Sequence, residues 1–207
     1  MVLSDEPFAA PVIGTETVFE GRVWNIRRDE VDYNGETIVR EYMDHTGAVA
    51  ILALDDDDRM LLIKQYRHPV RARDWEIPAG LLDIDGEAAL ASAQRELAEE
   101  ADLVADRWDV LAEFYTTPGG SDEAIRIYLA RGLRPAPQAF DRTAEEADIE
   151  VRWAPLDEVV DAVLDRRLQN PSLVVGAMTA FASRARGWST LAAADSEWAR
   201  RSRPVGG

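Results

Sequence analysis

Glu96, Glu99 and Glu100 stand at i, i+3 and i+4 within Arg95-Glu96-Leu97-Ala98-Glu99-Glu100, so a helix of ~3.6 residues per turn puts three carboxylates on one face. Leu90, Ala93, Leu97 and Ala101 recur beside them at helical spacing and form the apolar stripe that such a helix buries against a sheet. The acids therefore border the core and do not occupy the far, solvated side. Glu87, nine positions before Glu96, is expected in the first turn, where a carboxylate suits the helix dipole. Taken alone, the string fits a charged helix face as well as a cation site, because like charges at i,i+4 cost only ~0.2–0.5 kcal/mol per pair. The preceding Pro78-Ala79-Gly80 adds a turn whose backbone carbonyl supplies a further oxygen. Mg²⁺ is commonly held in this way, by one or two carboxylates plus the phosphates of a substrate.

A chain of 207 residues with 46% hydrophobic content is long enough for one domain with its own core. No apolar run approaches the ~18 residues that cross a membrane, and Met1-Val2-Leu3-Ser4-Asp5-Glu6 carries acids where a secretory leader carries bases. The expectation is a cytoplasmic protein without a membrane partner. Absence of cysteine excludes disulfides and thiolate metal sites. A formal charge of −16 argues against a nucleic-acid partner bound through its phosphates; an anionic small molecule would need metal and local arginines.

Along the chain, residues 1–15 hold two prolines and no period and read as a loose arm. Residues 17–31 and 37–45 alternate around Asn34-Gly35, a hairpin signal. The continuous apolar run 47–54 reads as a buried strand, and Asp55-Asp56-Asp57-Asp58 as a solvated turn into a strand at 60–63. Short strands are expected at 75–77 and 149–153, and longer ones at 108–115 and 124–130 around the loop 116–123. Pro155, at the first helical turn, opens a helix to about Arg167, and Asn170-Pro171 opens another to about Ser183. This order implies an α+β layered domain.

The segment from Gly80 to Leu103 resembles the Nudix box, the loop-helix-loop motif of hydrolases that cleave nucleoside diphosphates linked to another moiety. Glu87, seven residues, then Arg95-Glu96-Leu97-Ala98-Glu99-Glu100 follows the family pattern. Two departures stand out: six residues instead of five separate Gly80 from Glu87, and Asp102 replaces the late glycine before Leu103. The insertion lies in a turn, where it is tolerated, and Asp accepts a left-handed cap less readily than Gly but acceptably. Beyond the box, Gln65-Tyr66-Arg67-His68, Trp75-Glu76-Ile77-Pro78-Ala79-Gly80, Pro118-Gly119-Gly120-Ser121-Asp122-Glu123 and Glu145-Glu146-Ala147-Asp148 extend the similarity over residues 17–180, toward the ADP-ribose pyrophosphatase branch.

That resemblance implies a Nudix-type α/β/α sandwich (46–207) with an N-terminal arm and antiparallel β subdomain (1–45) swapped in a homodimer. It implies Mg²⁺, with Mn²⁺ as a substitute, held by the Ala79 carbonyl, Glu96 and Glu100, with Glu99 as a further ligand or a residue that orients water. Arg95 is expected to point away from Glu96 and to pair with Glu87 or Glu99. Glu145, or else Glu146, is implied as the base, Trp24 as the stacking partner of adenine, Arg67 as a phosphate contact and Arg40 as a nucleotide contact. Ser121 and Glu123 are implied contacts of the terminal ribose; alternatively they cap the Gly119-Gly120 turn or form surface pairs. The implied reaction is hydrolysis of ADP-ribose, a small nucleotide sugar, to AMP and ribose 5-phosphate. Alternatives are another nucleotide sugar or dinucleotide as substrate, or a noncatalytic ADP-ribose-binding module.

Overall fold

The computed structural model describes residues 3–138, 140 and 149–198. The chain divides into one unit of residues 1–46 with 117–123 and another of residues 47–116 with 124–207. The loop 117–123 thus belongs with the N-terminal strands, an assignment that sequence order alone does not reveal.

The first unit is an antiparallel sheet of β1 (Val12–Phe19), β2 (Asn25–Tyr33) and β3 (Glu36–Asp44), in that order. The expected hairpin at Asn34-Gly35 forms, both residues having positive φ as a tight turn demands. Two expectations are corrected. The arm is not loose throughout, because β1 begins at Val12 and pairs with Val31. The strand expected over 17–31 is two strands, broken between Phe19 and Asn25. Gly21 makes that break: a Cβ there would overlap the Trp24 carbonyl, and its N–H donates to Asn25 Oδ1 at 3.2 Å. Across the sheet, Thr15 donates to Asp29 Oδ1 (2.6 Å) and the Tyr42 hydroxyl to Asp29 Oδ2 (3.0 Å). Loop 117–123 joins the end of β3, Met43 N–H donating to the Gly120 carbonyl at 2.9 Å.

In the second unit, β4 (Ala48–Ala53) runs parallel to β9 (Ala124–Pro135) at the centre of a five-stranded sheet, and β8 (Leu103–Tyr115) pairs antiparallel with β9. The edges are β7 (Ala79–Leu81), beside β4, and β11 (Ala192–Ala193), beside β8. A second sheet has the order β10 (Glu150–Pro155), β5 (Arg59–Arg67), β6 (Ala72–Glu76). Every residue of β4 is buried, and its side chains split between two cores. Ala48, Ala50 and Leu52 pack with α2 (Leu156–Leu164) and α3 (Pro171–Arg184) through Leu156, Val160, Leu173 and Ala177. Val49, Ile51 and Ala53 pack with Ala93 and Leu97 of α1 (Ala89–Ala101). Helices on both faces of one sheet make the α/β/α sandwich, and a strand covered on both faces reads as a continuous apolar run.

The boundaries carry further corrections. Pro155 ends β10 and caps α2, which starts at Leu156 and stops at Leu164, short of Arg167. β8 and β9 run well past the expected limits, β8 with a bulge between Val110 and Ala112. Asp55 closes the acidic turn by accepting from the Asp57 and Arg59 N–H groups at 3.0 and 2.8 Å. Residues 196–198 dock: buried Arg126 donates to the Ser196 and Glu197 carbonyls (2.9 and 3.1 Å) and lies 4.9 Å from the Trp198 ring centroid. Among the described residues no helix is long and apolar enough to cross a membrane.

Burial, followed by the hydrogen bond to the Asp29 carboxylate, pushes the Tyr42 phenol up to about 12. Because the folded state raises this pKa, the contribution to stability is fully present below the ordinary tyrosine value of ~10 and is lost as pH rises beyond it. Ultraviolet titration of the folded protein is expected to show one of its five tyrosines ionising last, near 12, and Tyr42→Phe is expected to remove that late step.

Candidate active site

α1 begins after Ala88, which is extended (φ −70°, ψ 143°), so Glu87 lies just outside the helix and not in its first turn as expected. A turn holds it there, its N–H donating to the Ile84 carbonyl at 3.1 Å. Its carboxylate instead receives Arg95 Nε and Nη2, both at 3.1 Å. Arg95 does not point away from Glu96: Nη1 donates to Glu96 Oε1 at 2.6 Å and to Glu99 Oε2 at 3.2 Å. Five donors in a planar fork allow one guanidinium to bridge three carboxylates. The Arg95 hydrogen bond holds the Glu87 carboxyl below the usual range, and the same bond leads the causes that raise Arg95 above its ordinary value. At the other end Asp102 adopts the left-handed cap (φ 54°), with Oδ1 accepting from the Phe140 N–H at 3.1 Å, a bond that glycine could not make.

The acidic face of α1 meets the backbone of β7. Hydrogen bonds run from Ile51 N–H to the Pro78 carbonyl and from Leu82 N–H to the Gly47 carbonyl. In an antiparallel pair, bonded positions alternate with unbonded ones, so Ala79, opposite Ala50, turns its N–H and carbonyl away from β4. Its N–H donates to Glu100 Oε2 at 2.9 Å. Gly80 is required at the next position, since a Cβ there would overlap the Glu96 carboxylate. Glu100 is 6% exposed and the Glu96 side chain 13% exposed, against 36% for Glu99. Two sheltered carboxylates beside an outward-facing carbonyl are hard oxygen donors of the kind a divalent cation takes. Among the described residues no three His, Asp or Glu side chains form a cage for a cation by themselves, so Glu96, Glu99 and Glu100 do not close as one set.

The other residues singled out in the sequence fall elsewhere. Arg67 is clamped by buried Glu76 through Nε (2.8 Å) and Nη2 (2.7 Å), and Gln65 donates to the same carboxylate at 3.3 Å. In the first unit, the 37% exposed Trp24 rests on the buried His45 ring, centroids 4.9 Å apart, and His45 Nε2 is 3.4 Å from Glu123 Oε1. Ser121 Oγ accepts from the Glu123 N–H at 3.1 Å and contacts the Met43 carbonyl at 3.4 Å, so it braces the loop. Arg40 is exposed on β3, with Nη1 donating to the Val39 carbonyl at 2.8 Å. Glu145 and Glu146 lie outside the described residues. His45 and Glu76 escaped the sequence reading. A glutamate between Trp75 and Ile77 in a buried strand must be paired, and that was the available signal for Glu76; nothing local marks His45.

A model of the NUDIX domain matches residues 44–173, more than half of the chain. The chain belongs to the NUDIX family. An "ADP-ribose pyrophosphatase" of Mycobacterium tuberculosis is 42% identical over 91% of each chain. A "methanol dehydrogenase activator" of Bacillus methanolicus is 34% identical over 81% of this chain and 90% of its own. The solved structure of an ADP compounds hydrolase superposes with TM-score 0.72 at 22% identity, covering 89% of this chain and 99% of its own, which shows a shared fold. Hydrolases of the NUDIX family generally use a divalent metal, and the donor chemistry around Ala79 fits one. Gly80→Ala is expected to displace the Glu96 carboxylate and cost ~1–3 kcal/mol of stability through overpacking. Chemical denaturation checks this; an unchanged midpoint would contradict the tight seating of Glu96 on β7.

Proposed function

We propose that this protein is a Mg²⁺-dependent hydrolase that cleaves the pyrophosphate of ADP-ribose with water, giving AMP and ribose 5-phosphate. The observation that carries this reading is the seat of Glu96 and Glu100 on the Ala79–Gly80 backbone; the mycobacterial relative's name supports the substrate. The Ala79 carbonyl, Glu96 and Glu100 would hold Mg²⁺, or Mn²⁺ in its place, with Glu99 at the exposed margin. When bound there, the cation would supply neutralisation of diphosphate charge and a more nucleophilic water. Water oxygen bonds to one phosphorus, the bridging P–O bond breaks, and the bridging oxygen leaves with the other phosphate. Glu145, or Glu146, takes the proton that the water gives up.

Arg67, aligned by Glu76, contacts the phosphates as a guanidinium fork suits, and Arg40 the nucleotide. Trp24 stacks on adenine, and Glu123, with its N–H bonded to Ser121, meets the terminal ribose. The protein acts as a homodimer. Phe8, Val12, Ile13 and Phe19 of the first unit are each more than half exposed, a degree of apolar exposure that favours an interface with a second copy. A cytoplasmic setting suits a chain without cysteine.

Chromatography of products over a panel of ADP-ribose, other nucleotide sugars and dinucleotides, with Mg²⁺ and Mn²⁺ compared, is expected to show AMP and ribose 5-phosphate in equal amounts, with ADP-ribose cleaved fastest. Glu145→Gln is expected to lower kcat by ~10²–10⁴-fold while keeping metal affinity. Binding of ADP-ribose without release of AMP would overturn the assignment.

A further inference from the structure

The two residues assigned to opposite ends of ADP-ribose, Trp24 and Glu123, are 99 positions apart in sequence, yet both touch one side chain. His45 sits at the end of β3 with its side chain 4% exposed. One face of its ring backs the Trp24 indole at 4.9 Å between centroids, the planes inclined at 36°. Its Nε2 reaches Glu123 Oε1 at 3.4 Å, an ion pair when the imidazole is protonated. Its backbone N–H donates to Asp122 Oδ1 at 2.8 Å, so main chain and side chain both hold loop 117–123. An imidazole with so little exposure cannot itself make an extended contact with substrate. Trp24, by contrast, is 37% exposed while its ring rests on His45.

We propose that His45 is a positioning residue that couples Trp24 and Glu123 into one recognition surface for ADP-ribose, an inference that rests on the hydrolase reading. It fixes the tilt of the indole through its ring and the direction of the carboxylate through Nε2. Both effects act on substrate binding and leave the chemistry at α1 alone.

Two variants divide the roles. His45→Phe keeps a flat ring against Trp24 and loses the donor to Glu123; His45→Gln keeps a donor and loses the ring. His45→Phe is expected to raise KM for ADP-ribose ~10-fold, the scale of a hydrogen bond to a charged group, with kcat kept within ~2-fold of the unaltered protein. It weakens inhibition by ribose 5-phosphate and leaves inhibition by AMP unchanged. His45→Gln does the reverse, weakening inhibition by AMP and sparing ribose 5-phosphate, and it carries the test if His45→Phe does not fold. Combined with Glu123→Gln, His45→Phe adds nothing to KM, because it acts through a carboxylate already lost. A fall in kcat with KM unchanged, or KM effects that multiply in the double variant, overturns the coupling. Absence of ADP-ribose turnover in the unaltered protein would overturn the hydrolase reading itself, and the inference with it.

Discussion

The site depends on one docking contact, the acidic face of α1 against the backbone of edge strand β7. Glu100 is buried and accepts the Ala79 N–H, and Glu96 lies so close to Gly80 that no side chain fits there. A buried carboxylate without donors is costly, and β7 turns an amide toward this one. The register of β7 on β4 supplies that amide: a slip of one residue would aim Ala79 at β4 and remove this donor from Glu100. The same register aims the Ala79 carbonyl outward, and the metal-binding proposal needs that oxygen. Leu97 and Ala93, fully buried under the helix, hold the other side of the wedge.

Crowding acids on one helix edge calls for a counter-charge, and Arg95 provides it by spanning Glu87, Glu96 and Glu99. Like-charge repulsion at helical spacing is small, so the value of Arg95 lies in geometry more than in stability. It fixes the rotamers of residues that would otherwise turn to solvent. The first unit shows a comparable arrangement, with His45 buried between an aromatic ring and a carboxylate. In both places one side chain links groups that lie apart in sequence.

Features set by neighbours in sequence were legible before the structure: the helical spacing of the three glutamates, the Asn34-Gly35 hairpin, the acidic turn at Asp55, and Asn170-Pro171 as the start of α3, where the structure adds that the Asn170 side chain accepts from the Leu173 N–H. The family pattern located the box although the late glycine is Asp102, since a left-handed cap tolerates Asp. What stayed hidden is set by distant partners. β1 extends into the arm because Val31 is there to pair with Val12. Ser196 and Glu197 dock because Arg126, 70 positions away from Ser196, binds their carbonyls. His45 carries no local signal, since its role exists only once loop 117–123 has returned to β3.

Binding of Mn²⁺ followed by electron paramagnetic resonance reads the docked acidic edge without requiring a substrate. The unaltered protein is expected to bind the ion, Glu96→Gln and Glu100→Gln each to weaken binding at least ~10-fold with helix content unchanged, and Glu158→Gln, a surface change on α2, to have no effect. Mn²⁺ titrations of Glu96→Gln and Glu100→Gln that overlay the unaltered protein would contradict the claim that these two carboxylates, seated on β7, form the metal site.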